Sequence, residues 1–197
     1  MPNYLLSLRN AIISVALYAG LAMVNGLLLY ANTAIAPALI TQSLSTARQM
    51  GQARLTVYGF SIYDAKLWAS DGFVVSNYAA EPFALELRYL RSFKGTMIAE
   101  RSLSEMRRLG AISDEKAGKW LDNMKKTFPD VKKGDELIGI HKPDGTASFT
   151  LNGKPIGEVR DEEFTRLFFG IWLSPNTSEP KMRMQLLGSA AVQSKPK

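Results

Sequence analysis

Arg54 and Tyr58 stand four residues apart in a β-rich segment, Arg54–Trp68, that also carries Val57, Phe60, Ile62 and Tyr63. In an extended strand, residues i and i+4 point to the same face. An arginine beside a phenol can hold a carboxylate or a phenolate, because the planar guanidinium offers paired charge-assisted hydrogen bonds. Arg54 and Tyr58 are therefore the candidate ligand-binding pair. The plainer alternative is a solvated strand arginine next to a core tyrosine.

The remaining reactive residues are explained without a site. His141 ends an apolar stretch beside the turn Pro143-Asp144-Gly145; it reads as a surface imidazole with no partner that would make it a general base. Lys125-Lys126 and Lys132-Lys133 surround Phe128, but a helix end that favours cations and a solvated turn account for them, so no nucleic-acid face is expected. Asp161-Glu162-Glu163 opens a helical pattern, where three acids answer the helix dipole. No GxGxxG or GxxxxGK[ST] motif offers a phosphate cradle. The chain has 197 residues, no cysteine and one histidine. Those counts exclude zinc fingers, thiol enzymes and CxxC redox motifs, and they argue against a Ser-His-Asp triad or a multi-histidine metal centre. Neither metal nor cofactor is expected.

The net charge of +6 is unevenly spread. Arg9 is the only charged side chain before Thr41, and Ala11–Tyr30 is 20 uncharged residues rich in Ala, Leu, Ile and Val. That run is long enough to cross a bilayer core, and the small residues behind it fit a secretory leader equally well. Ala36-Pro37-Ala38 satisfies the small-x-small rule, with cleavage before Leu39, although Pro37 obstructs a cut after Ala36. Signal peptide and uncleaved anchor both remain open for residues 1–38. Either one places residues 39–197 outside the cytoplasm, in the periplasm or on the inner membrane facing it, since Arg9 holds the leader's start inside.

Within residues 39–197 the periodicities alternate. Phe83, Leu85, Leu87 and Tyr89 line one face of a half-buried strand, with Glu86 and Arg88 on the other. Ala99, Leu103 and Met106 mark a helix; Ser113-Asp114-Glu115 caps a second, which runs to Phe128 and stops at Pro129. Leu137–Ile140 and Ala147–Leu151 are strands, and the turn Asn152-Gly153 leads into a third. Phe164, Leu167, Phe168, Ile171 and Trp172 define a deeply packed helix after Asp161; Met182, Met184 and Leu186 leave helix and strand open for the last segment. The order ββ-αα-βββ-αα predicts an α+β fold with an antiparallel sheet covered by helices.

An ordered set of short motifs resembles the chalcone isomerase-like family, the exported bacterial members most of all. It comprises Gly51-x-x-Arg54, Tyr58-Gly-Phe-Ser-Ile-Tyr63-Asp-Ala-Lys-Leu-Trp68, Thr96-Met97-Ile98, Leu109-Gly110, Phe128-Pro129-Asp130, Lys133-Gly134-Asp135, Phe168-Phe-Gly-Ile-Trp-Leu-Ser-Pro175 and Leu186-Leu-Gly188. The resemblance spans about Gln49 to Gly188. It implies an open-faced β-sandwich with an apolar cleft between sheet and helices. True isomerases in the family close a flavanone ring, and fatty-acid-binding relatives hold a carboxylate with an arginine and a tyrosine. The family's cleft arginine falls on Arg54 and the isomerase threonine on Tyr58. The isomerase's helical tyrosine falls on Met106, which has no hydroxyl, and its asparagine has no counterpart. The expectation is a non-catalytic binder of a small apolar acid such as a fatty acid. The alternatives are a membrane-tethered structural or partner-binding domain, and a chalcone-type isomerase.

Overall fold

The computed structural model describes residues 37–188; the leader expected at residues 1–38 lies almost wholly outside them. Among the described residues no helix is long and apolar enough to cross a membrane.

Strands β1 (Arg48–Val57) and β2 (Phe60–Ala69) form a hairpin, joined by a two-residue turn at Tyr58-Gly59. The β-rich stretch expected as one strand is thus two, and β1 starts six residues earlier. Both turn residues have positive φ, 50° and 80°, the geometry whose twist suits a tight hairpin. β3 (Phe83–Tyr89), β4 (Glu136–His141), β5 (Thr146–Leu151) and β6 (Lys154–Arg160) follow, and all six strands pair antiparallel in sequence order. One cross-strand row runs Ala53, Ala65, Leu87, Leu137, Leu151. The adjacent row, on the other face, runs Arg54, Asp64, Arg88, Glu136. Alternation along each strand therefore separates an apolar face from one bearing an alternating line of charges.

The apolar face is covered by α2 (Gly95–Leu109), α3 (Asp114–Thr127), α4 (Glu162–Leu173) and α5 (Pro180–Leu187). α2, α3 and α4 form where the apolar spacing predicts. Ser113 caps α3 by accepting from the Lys116 amide at 3.4 Å, and Asp161 caps α4 by accepting from the Phe164 amide at 3.0 Å. The segment left open between helix and strand is helical, with Pro180 in its first turn. α5 lies so close to β1 that a Cβ on Gly51 would collide with the Gln185 and Leu186 carbonyls.

The opposite face is not left entirely to water. A short helix α1 (Ala38–Ser43) carries Ile40, fully buried, into a second cluster with Trp68, Ala84, Ile138 and Ile140. This is why β3 is buried on both faces instead of one: Glu86 is only 3% exposed, bonded to Lys66 Nζ at 2.8 Å and Trp68 Nε1 at 2.9 Å.

Candidate functional site

Between the apolar face of the sheet and α2, α4 and α5 the side chains leave a cleft of about 490 Å³. Its floor comes from Leu55 and Val57 on β1, Tyr63 on β2, Leu87 and Tyr89 on β3, and Leu137 on β4. Its roof is Met97, Ile98 and Arg101 of α2, Phe168, Ile171 and Trp172 of α4, and Met182 and Arg183 of α5. Val57 and Met97 are 38% and 57% exposed, so the cleft opens where the β1–β2 hairpin faces the start of α2. A cleft of this volume, walled by apolar and aromatic groups with a few polar ones, is the ordinary form of a small-molecule site.

The polar groups are few and specific. Tyr63 Oη accepts from Trp172 Nε1 at 3.0 Å, and among the described residues its own proton has no acceptor. Burial pushes the Tyr63 and Tyr89 phenols well above their ordinary range, so both stay protonated and each keeps a proton to donate. Glu105 is neutralised in place: Arg101 lies at 2.6 Å, Arg108 at 3.6 Å, and Ser178 Oγ donates to it at 2.8 Å. Arg183 differs. Its Nε donates to the Leu173 carbonyl at 2.7 Å, and no described carboxylate lies within ion-pair reach. Burial lowers its pKa, but a guanidinium remains charged. Among the described residues the cleft therefore offers apolar volume, the phenols of Tyr63 and Tyr89, the carboxylate of Glu179, and in Arg183 one partly desolvated cation without an acid partner. It contains, among the described residues, no nucleophile activated by a neighbouring base, and no group of three or more His, Cys, Asp or Glu that could hold a metal.

The structure places the expected binding pair elsewhere. Arg54 lies on the charged face, where its Nε and Nη2 donate to the two Asp64 carboxylate oxygens at 2.6 and 2.9 Å. Tyr58 is 96% exposed at the hairpin tip. The shared strand face expected from their spacing does not exist, because Tyr58 is in the turn and the register shifts between Leu55 and Thr56. The side chains that β1 presents to the apolar face are Ala53, Leu55 and Val57; a one-residue step separates them from Arg54. His141, expected at the surface, is 1% exposed and stacked on Phe83 with ring centroids 5.0 Å apart. It sits on the core side of β4 beside Phe169 and does not line the cleft. Met106 is fully buried and likewise does not line it. Lys125, Lys126, Lys132 and Lys133 are exposed, as expected. The cleft's own polar groups, Tyr63, Trp172, Arg101 and Arg183, were legible only as strand and helix positions. The parity of Leu85, Leu87 and Tyr89, carried across the β2–β3 pairing, is the one sequence signal that would point to Tyr63.

A six-stranded antiparallel meander with helices layered on one face, and a cleft between the layers, is an open-faced α+β sandwich. The chain belongs to the chalcone isomerase-like family, whose pattern matches residues 48–188. It is 32% identical over 139 residues to an uncharacterised protein of Haemophilus influenzae, covering 71% of this chain and 67% of that one. Its fold is similar to that of an Arabidopsis thaliana fatty-acid binding protein, with a TM-score of 0.58 and 13% identity over 74% of this chain and 89% of that one. At that identity the likeness is one of fold.

Proposed function

We propose that this protein is an exported, non-catalytic binder of a fatty acid or similar apolar carboxylate. The tail fills the cleft, and the head meets Arg183 and the Tyr63 hydroxyl. The observation that carries this reading is the pairing pattern of the cleft's charges: Glu105 is already satisfied by Arg101 and Arg108, while Arg183 keeps a charge that no described acid answers. The name of the Arabidopsis relative supports the ligand class. The apolar leader in the sequence supports export.

Native mass spectrometry of the purified protein with dodecanoic or hexadecanoic acid tests the reading. Uptake of one acid is expected. Arg183→Gln should weaken it by about 10–100-fold, the range for losing a charge-assisted hydrogen bond. Methyl-ester binding should change little. Equal acid uptake by Arg183→Gln and parent would remove the anchor from the proposal, and no uptake by the parent would end it.

A further inference from the structure

The end of the sheet where the cleft opens has a surface that ligand binding does not require. Tyr58 occupies a left-handed turn position, φ 50°, that Asn or Gly fills without strain, yet it is an aromatic with 96% of its surface in water. Phe60 beside it is 58% exposed, with the Arg91 guanidinium 4.6 Å from its ring centre. Val57 and Met97 extend this apolar group to the rim of the cleft. The loops next to the hairpin, 90–94 and 130–135, carry four cations (Arg91, Lys94, Lys132, Lys133) against two carboxylates, Asp130 and Asp135. The Leu90 amide to Ile62 carbonyl bond and the Phe93–Val131 bridge hold these loops at the hairpin end. Asp130 is taken up by Lys94 and the Gly95 amide, and Asp135 by Asn152 and the Lys132 amide. Among the described residues Arg91, Lys132 and Lys133 have no carboxylate partner.

We propose that this end docks on the surface of an anionic phospholipid bilayer, with Tyr58 and Phe60 entering the headgroup region and the unpaired cations facing lipid phosphates. An aromatic tip flanked by cations matches that interface on both counts, since amphipathic rings settle at headgroup depth and basic residues are drawn to anionic lipid. Docking this way turns the cleft mouth towards the bilayer, so an apolar acid passes between membrane and cleft without crossing water. Only that passage rests on the fatty-acid reading; the docking itself does not.

The absence of cysteine makes the test direct. Tyr58→Cys and, at the other end of the sheet, Ser76→Cys are labelled singly with an environment-sensitive fluorophore in the full chain. Each is mixed with vesicles of phosphatidylcholine containing phosphatidylglycerol and a headgroup-region spin-labelled quencher, free of fatty acid. Quenching at position 58 should exceed that at position 76 at least about twofold, as expected for an interfacial tip. With phosphatidylcholine alone, or with Arg91, Lys132 and Lys133 all changed to Gln, it should fall several-fold, each surface cation being worth roughly fivefold in membrane affinity. Equal quenching at both sites, including any due to the leader alone, overturns the proposal. So does quenching insensitive to lipid charge, or self-association through position 58 in place of lipid contact. Because no fatty acid is present, failure here leaves the binding reading standing, and failure of acid uptake leaves docking standing.

Discussion

Arg183, proposed above as the anchor of an acid, and Arg54, on the charged sheet face, differ in their partners. Arg54 closes a row of alternating charges with Asp64, Arg88 and Glu136, and its pairing with Asp64 is complete on the exposed face. Exposed pairs of this kind contribute about 0–1 kcal/mol. Arg54→Ala should therefore leave both acid uptake and the urea midpoint nearly unchanged, read by mass spectrometry and urea unfolding. His141 makes the second prediction at this scale. Burial between Phe83 and Phe169 lowers its pKa below 6.5, and the nearby Glu81 and Ala79 carbonyls and Asp144 offset this only in part. Among the described residues Nδ1 has no hydrogen-bond partner. The folded ring is thus neutral where the unfolded one takes a proton. Stability from this residue is present above pH 6.5 and is lost as pH falls below it, at up to about 1.4 kcal/mol per unit until the folded ring protonates. Urea midpoints should drop from pH 7 to pH 5.5, and His141→Phe should flatten that slope. The lowered carboxylates Asp130, Asp135 and Asp144 act in a more acidic window, below 3.8.

At the scale of elements, two contacts set the geometry of the cleft. α5 rests on β1 through Gly51, and any Cβ there meets backbone, which cannot swing aside as a side chain can. Gly51→Ala should cost about 1–3 kcal/mol and reduce acid uptake, because α5 carries Arg183. The β1–β2 hairpin behaves in the opposite way. Tyr58→Asn relieves a left-handed aromatic and should raise stability by about 1 kcal/mol while weakening vesicle contact. A stabilising change that removes an interaction marks a residue kept for something other than the fold. The α1 segment adds Ile40 to the far face of the sheet. Ile40→Ala should cost about 2–5 kcal/mol, read from the thermal midpoint, since its fully buried side chain sits against Trp68 and Ile138.

The whole molecule is a sheet used on both faces for different purposes. One face carries the core and the cleft; the other carries a charge row and the clasp of α1. If the cleft holds a fatty acid, the ligand stabilises the folded chain alone. At a hundred times the dissociation constant this adds about 2.7 kcal/mol, or roughly 5–10 °C in Tm for a domain of this size. Calorimetry with dodecanoic acid and its methyl ester side by side should show the larger shift for the acid.

What the sequence by itself determined was the local and the periodic. Phe83–Tyr89 alternates because a strand does, α2, α3 and α4 follow spacings that only a helix brings to one face, and Ser113 and Asp161 announce their own caps. The order of motifs carried the fold class, since helices and antiparallel strands in that order have few ways to share one core. Only the tertiary structure decided which face each side chain serves. A strand's sides differ by one residue, so the turn at Tyr58-Gly59 and the shift after Leu55 were enough to move the expected Arg54 and Tyr58 pair out of the cleft. Arg183 was invisible as a site for a related reason. Its charge matters because α5 folds back onto β1 more than a hundred residues away in the chain, and no local pattern encodes which acids it meets there.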